Sequence, residues 1–597
     1  MKTLSAALLA AILVLASCGD GQEQAMTDRG DDEASAALAA LLDEHFERNL
    51  ELNPLSATSI GDYRYNDRLA ISIGTEHRWA VRELNQEILR RLAEIDRDHL
   101  SDQDQLSYDM FKLLREQSLE RQQFPSHLQP FSQYYMYTSN FARLGNGSGL
   151  HPFKTVKDYD DFLSRVDDFV TYVDQAMENM KEGVVQGIVQ PRVLMLKALP
   201  QLDSLITEDP GDSGFFTPIR NMPQGFSEED RTRLTIAYKD AIANKIMPAF
   251  ARLKNFIGDD YLGAARETFG LLDLPNGDAW YAFLVRVRTT TNLTPDEIHQ
   301  IGLDEVARIQ GEMRGVMEEV GFEGDLDEFF EFLNTDQQFF FDEPEQLIQG
   351  YRDMSDHIAG LTTGLFDVFP KASFEVRRVE EFREQSSAGA SYQAGTPDGS
   401  RAGVFYANAY DIKARPKWAM ESLFLHEAIP GHHFQISLQQ ENDALPRFRR
   451  FARFTAYSEG WGLYAESLGT ELGIYTDPYQ HFGGLNAELW RAIRLVVDTG
   501  IHARGWSRQQ VLDYMYANSA VAEARAVAET ERYMARPGQA LAYKIGQLKI
   551  REIRDHAEER LGERFDVRAF HTEILKDGPM PLSMLEEKLD RWVQAQL

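Results

Sequence analysis

The stretch Leu425-His426-Glu427-Ala428-Ile429-Pro430-Gly431-His432-His433 places three imidazoles and one carboxylate within eight positions, beside a helix break. This is the composition of a zinc site that carries its own base. In the H-E-x-x-H pattern of zinc hydrolases the two histidines lie four apart on one helical face, and the Glu beside the first acts as general base. Here the fourth position is Pro430. Proline cannot ligate, and it disfavours helical geometry at the residue before it, so the helix carrying His426 is expected to stop or bulge near Ile429. The second ligand must then come from beyond the break. His432 is favoured, because the preceding Gly431 can adopt the unusual backbone angles of a tight turn. His433 is left as an outer partner or a substrate contact.

A catalytic zinc site of this type needs a third protein ligand and one open position. Glu459, in Thr455-Ala456-Tyr457-Ser458-Glu459-Gly460-Trp461-Gly462-Leu463-Tyr464-Ala465-Glu466, is the best candidate, on a second helix-like stretch. Glu466 shares its face two turns on, where it is expected to orient a ligating histidine from outside. The general base is expected to be Glu427.

Around these segments helical periodicity dominates. Ala37 to Leu50, His77 to Asp96, Ser101 to Gln122, Val156 to Glu182, Glu228 to Ile257 and Pro295 to Val320 each repeat apolar residues at three and four spacing. Thr294-Pro295-Asp296-Glu297 reads as a helix start, and Ser507 with Gln510 as a capping box. The exception runs from Ser373 to Tyr410. There Phe374 to Val379 alternates in part, Gly395 to Ser400 is turn chemistry, and Gly403 to Asn408 is strand-like, so a small sheet is expected before the metal helix. The fold class is therefore mainly α.

The N-terminus couples Lys2 to an apolar run from Leu4 to Ala16, then Ser17-Cys18-Gly19. That run is too short for an ordinary membrane span and reads as an export signal. Leu15-Ala16-Ser17-Cys18 resembles a bacterial lipoprotein signal, with Cys18 lipidated after cleavage of residues 1–17. Cys18 is the only cysteine, so no intramolecular disulfide is available. Residues 18–37 read as an acidic tether and 38–597 as one domain, anchored to the outer membrane and facing the periplasm. The net charge of −32, from 62 Lys and Arg against 94 Asp and Glu, argues against a nucleic-acid partner.

In the C-terminal third, Arg494, Asp498 and His502 recur every four residues on the helix Glu488 to Ile501, which makes a polar stripe. On this reading Asp498 orients His502 toward a substrate carbonyl, with Arg494 as a substrate contact; a surface salt-bridge ladder is the alternative.

The blocks Val404 to Asn408, His426 to His433, Glu459 to Trp461, Asp498 to His502 and Pro537 to Lys544 resemble those of a large bacterial family labelled as a domain of unknown function, number 885. That family is similar to the all-helical gluzincin metallopeptidases, whose relatives include angiotensin-converting enzyme, the thimet oligopeptidases and the thermostable carboxypeptidases. The resemblance runs from about residue 38 to the C-terminus. It implies a two-lobed helical fold with a deep cleft, one zinc ion, and hydrolysis of short peptides. Aligning the Gly-His pairs places His432 at the relatives' second ligand with two residues inserted. The resemblance further implies an oxyanion donor among the C-terminal blocks, Tyr533 first and Tyr543 second. It implies a basic residue for the substrate carboxylate, Arg536 or Lys544. An edge strand that pairs with the substrate backbone is also implied, either Ser391-Tyr392-Gln393 or Val404 to Asn408. Two other readings stay open: a metal amidohydrolase acting on non-peptide amides, and a non-catalytic envelope lipoprotein with structural histidines.

Overall fold

In the computed structural model, residues 31–134, 137–379, 384, 389–395 and 402–597 are described; Cys18, the signal segment and most of the turn from Gly395 to Ser400 lie outside them. The chain is mainly helical, as its periodicity predicts. Residues 31–52, Thr75–Leu92 and Asp102–Arg121 are helices. The 31-residue α1 (Val156–Gln186) starts at a Thr155–Asp158 capping box and ends at left-handed Gly187. The segment expected to be helical from Glu228 to Ile257 is continuous in chain direction, but it widens into a π turn at Ile242–Ile246 and another at Phe256–Tyr261. Next comes α2 (Pro295–Glu319), with the Thr294–Glu297 capping box read from the sequence.

Three strands follow: β1 (Phe374–Arg378), β2 (Ala390–Gln393) and β3 (Gly403–Ala407). Their order is β1-β3-β2, with β1 parallel and β2 antiparallel to β3. All five β3 residues are buried, as a central strand requires. One of the two candidates for a substrate-binding edge is thereby corrected: Val404 to Ala407 pair on both sides, and the segment Ser391-Tyr392-Gln393 is the one at an edge.

The segment around His426 to His433 forms α3 (Met420–Glu427) and α4 (His432–Glu441). They are followed by α5 (Thr455–Ser467), α6 (Pro478–Arg504), α7 (Glu523–Ala535) and α8 (Ala542–Leu561). The long α6 packs along α2, and α5 along α8. Two large apolar clusters result. One takes Phe482, Leu489, Ile493, Val497 and Ile501 from α6. The other combines Phe405 of β3, Phe424 and Leu425 of α3, Trp461 of α5 and Ile550 of α8. Among the described residues no helix is long and apolar enough to cross a membrane.

Candidate metal centre

Helix α3 stops one turn before the proline. Ala428 takes φ −108° and ψ −105°, and the chain turns through Ile429, Pro430 and Gly431 before α4 begins at His432. Only glycine fits at 431, because a Cβ there would lie 2.0 Å from the His426 carbonyl oxygen and 2.2 Å from that of Leu425. The turn is pinned from α5, where the fully buried Trp461 donates its indole N–H to the Pro430 carbonyl at 2.9 Å. The break therefore brings His432 back over the end of the helix that carries His426.

His426, His432 and Glu459 are the one group of three potential ligands among the described residues whose ligand atoms all lie within 4.8 Å of one another. The Nε2 atoms of His426 and His432 face the same Glu459 oxygen, Oε2, at 3.6 and 3.5 Å. On its other side His426 Nδ1 donates to Glu466 Oε1 at 2.7 Å, which places a proton on Nδ1 and directs Nε2 toward Glu459, where its lone pair would be available to a bound cation. Ser422 and Arg491 hold that Glu466 carboxylate in turn. Burial by itself lowers the His426 imidazole, but the Glu459 and Glu466 carboxylates outweigh burial and raise it to about 9. Burial likewise raises the Glu459 carboxyl, yet the two imidazoles hold it well below the usual carboxylate range. Such mutual charge demand suits a divalent cation. Two imidazoles and a carboxylate also match the donor set of zinc sites, so the residues present fit the metal. The cradle is tight as well: a Cβ on Gly462, in the middle of α5, would lie 2.7–3.0 Å from the His426 ring atoms.

Glu427 follows His426 at the end of α3, and its Oε2 accepts the backbone N–H of Tyr392 at 3.1 Å. Edge strand β2 thus runs beside the carboxylate expected to be the base. His433 is not part of the ligand group. Its Nδ1 bonds the Tyr392 hydroxyl at 2.8 Å, its ring packs on Phe374 at 4.6 Å, and burial lowers it to about 4. It ties the sheet to α4 as a neutral ring.

The C-terminal candidates divide sharply. Tyr543 of α8 stacks on His426, with ring centroids 6.4 Å apart and an interplanar angle of 20°. Tyr533 is buried, and its hydroxyl is committed: it donates to Glu529 at 2.6 Å and accepts from Arg494 Nε at 3.0 Å. The expected ranking of donors is therefore reversed by geometry, with Tyr543 the one beside the ligands. His502 is corrected too. Its Nδ1 accepts the Leu271 N–H at 3.1 Å, so its Nε2–H must donate to the Tyr533 carbonyl, 3.0 Å away. Buried and lowered to about 3, it has no proton to offer a substrate. Nor does Asp498 orient it. The Asp498 Oδ1 accepts from the Tyr281 hydroxyl at 2.6 Å and from the Gly538 N–H at 3.0 Å, which anchors the Pro537-Gly538 turn that leads into α8. Lys544 is fully buried between Glu305 and Glu488, at 2.7 and 2.5 Å, and is a structural ion pair rather than a carboxylate clamp. Arg536 lies over the Tyr134 ring at 5.4 Å. Arg494 does lie beside Tyr543, with its guanidinium carbon 4.9 Å from that ring.

Residues 54–589 match the family described as "Bacterial protein of unknown function (DUF885)". The chain belongs to that family. Two solved structures share the fold. A protein of Colwellia psychrerythraea assigned as a lipoprotein is 29% identical, with a TM-score of 0.86 over 94% of this chain and 99% of its own. A protein of unknown function from Shewanella oneidensis, likewise assigned as a lipoprotein, is 18% identical, with a TM-score of 0.71 over 92% and 99% of the two chains. No curated protein matches the sequence.

Asp498 gives a pH test of this architecture. Burial raises its carboxyl to about 7, against about 3.9 in an unfolded chain. A raised carboxyl binds its proton more tightly when folded, so its contribution is fully present below pH 4 and is lost as pH rises through 7, by about 4 kcal/mol. Asp498→Asn keeps an acceptor for Tyr281 and Gly538 and cannot titrate. Urea denaturation of both proteins is expected to show the variant gaining stability relative to the wild type from pH 4.5 to 7.5; parallel pH profiles would count against the buried acid.

Proposed function

We propose that this protein is a zinc-dependent peptidase of the cell envelope that hydrolyses short peptides. The observation that carries the reading is the convergence of His426 Nε2, His432 Nε2 and the Glu459 carboxylate, with Glu427 one residue from the first ligand. His426, His432 and Glu459 hold the ion. The ion supplies Lewis acidity, which polarises an amide carbonyl and lowers the pKa of water. Glu427 takes the proton of the attacking water on a carboxylate oxygen and delivers it to the leaving amine nitrogen. The Tyr543 hydroxyl is the nearest candidate to donate to the oxyanion. Edge strand β2 holds the peptide backbone in line with Glu427. The lipoprotein assignment of the Colwellia psychrerythraea relative supports a lipid anchor at Cys18, and Gly19 in place of the aspartate that often retains lipoproteins in the inner membrane favours outer-membrane placement facing the periplasm.

Metal-stripped protein titrated with zinc is expected to take up one ion per chain and to gain about 2.7 kcal/mol of stability at a hundredfold excess over Kd, read as a rise in Tm. Chelation is expected to abolish hydrolysis of N-acylated tripeptides. Failure to take up zinc, with an unchanged Tm, would favour a non-catalytic lipoprotein. Uptake of zinc with hydrolysis of simple amides alone would favour an amidohydrolase.

A further inference from the structure

We propose that His433 and Tyr392 are positioning residues for the Glu427 carboxylate: the imidazole holds the tyrosine, and the tyrosine holds the base. This deepens the peptidase reading and rests on it.

The need arises from where Glu427 stands. It is the last residue of α3, half-buried, and the backbone leaves helical geometry at Ala428. Glutamate keeps most of its rotamer freedom on a helix, so its aim has to come from a partner outside α3. Among the described residues Glu427 has one hydrogen-bond partner, the backbone N–H of Tyr392, at 3.1 Å on Oε2. The other oxygen, Oε1, is left to handle a proton.

The register of the sheet makes that N–H available. Residues of an antiparallel pair alternate between those that exchange hydrogen bonds across the ladder and those that do not. Asn408 donates to the Gly389 carbonyl, and Ala390 faces Ala407, so the bonded positions in step with Gly389 are Ser391 and Gln393. Tyr392 thus points its N–H away from β3, off the edge of the sheet and at Glu427. The aim of the carboxylate therefore depends on where Tyr392 stands.

Tyr392 is placed from two directions. Its hydroxyl meets His433 Nδ1 at 2.8 Å, and the same imidazole donates to the Ala372 backbone, which leaves Nδ1 to accept the tyrosine's proton. His433 is itself buried, with its ring against Phe374 of β1. At the far end of α4, Glu441 accepts the N–H groups of Lys371 and Ala372 at 2.8–3.0 Å, so both ends of that helix grip the entry to β1. From the other side Gly403 of β3 makes room for the ring: a Cβ there would lie 2.9 Å from Tyr392 Cε2 and 3.0 Å from Cζ.

The arrangement gives the second imidazole of the His432-His433 pair a task. Successive helical residues point about 100° apart, so the first turn of α4 sends His432 to Glu459 and His433 to the sheet. One rigid element thereby sets both a candidate ligand and, through Tyr392, the base.

The test measures hydrolysis of N-acetyl-trialanine by zinc-loaded protein. Tyr392→Phe and His433→Leu are expected to lower kcat by about 10–100-fold, the scale on which a misplaced catalytic group loses rate, with KM within twofold and one zinc bound per chain. His433→Asn carries an acceptor oxygen close to the place of Nδ1 and is expected to keep at least half of kcat. In a Glu427→Gln background Tyr392→Phe is expected to cost less than twofold more, because the group it aims is already gone. A second readout needs no turnover. Amide hydrogen exchange of the metal-free protein, resolved to single residues by mass spectrometry, is expected to be at least tenfold faster at Tyr392 in His433→Leu, while Ser391 and Gln393 keep their protection. Unchanged kcat in Tyr392→Phe, equal losses with and without Glu427, or unchanged exchange at Tyr392 would each overturn the inference and leave the peptidase reading intact. Faster exchange at all three residues would overturn it too, since His433 would then hold the sheet rather than the base. A zinc-loaded wild type that cleaves no peptide would overturn the peptidase reading, and the positioning role with it.

Discussion

Glu427→Gln is expected to lower kcat by about 10²–10⁴-fold, the usual contribution of a positioned general base, while zinc stoichiometry and Tm stay unchanged. The separation of the two readouts follows from where the carboxylate sits. Glu427 ends α3, next to His426, but it is not one of the three groups whose potential ligand atoms converge. Glutamine keeps the length and an acceptor oxygen for the Tyr392 N–H, so β2 has no reason to move. What disappears is the ability to take a proton from water and pass it to the amine nitrogen. Steady-state kinetics alongside elemental analysis checks both halves. Retained activity would end the mechanism, and loss of zinc would show that Glu427 acts on the metal rather than on water.

Much of this centre is legible in the sequence because it is written in local chemistry. Pro430 forces an end to α3, Gly431 permits the turn, and the spacing of Glu459 and Glu466 puts both acids on one face of α5. The helices were legible for the same reason: apolar residues at three and four spacing have one face to bury. Where expectation and structure part, the cause is tertiary. Arg494, Asp498 and His502 form one stripe on α6, yet each meets a different partner: Glu529 and Tyr533, the Tyr281–Gly538 turn, and the Leu271 and Tyr533 backbone. Helical spacing shows that side chains share a face and says nothing of what covers it. Lys544 departs from the expected carboxylate clamp for a similar reason, since its acidic partners, Glu305 and Glu488, are remote in sequence. Trp461 and Gly462 belong to the motif around Glu459, but their tasks, clamping Pro430 and clearing space for His426, become apparent only when α5 is laid against α3.

Gly462→Ala is the substitution expected to cost the most metal for the least chemistry. The added methyl carries no charge and no hydrogen-bonding group, and alanine favours a helix interior over glycine by about 1 kcal/mol, so α5 itself should be no weaker. Its Cβ, however, would lie 2.7 Å from His426 Cε1 and 2.9 Å from Nε2, inside the contact distance of real side chains. The imidazole has little room to yield. It is held by Glu466 through Nδ1, buried on every side, and followed by the turn that Trp461 fixes. Displacing it tilts the Nε2 lone pair away from Glu459 and His432, and disturbing a ligand's orientation alone typically costs 10–100-fold in metal affinity. We therefore expect zinc affinity to fall by at least that factor, measured by competition with a chromogenic chelator, and hydrolysis at limiting zinc to fall with it. Circular dichroism of the metal-free variant should match the wild type. An alanine variant that binds zinc as tightly as the parent would mean that His426 does not hold the ion in the orientation described, and the centre would have to be built around other ligands.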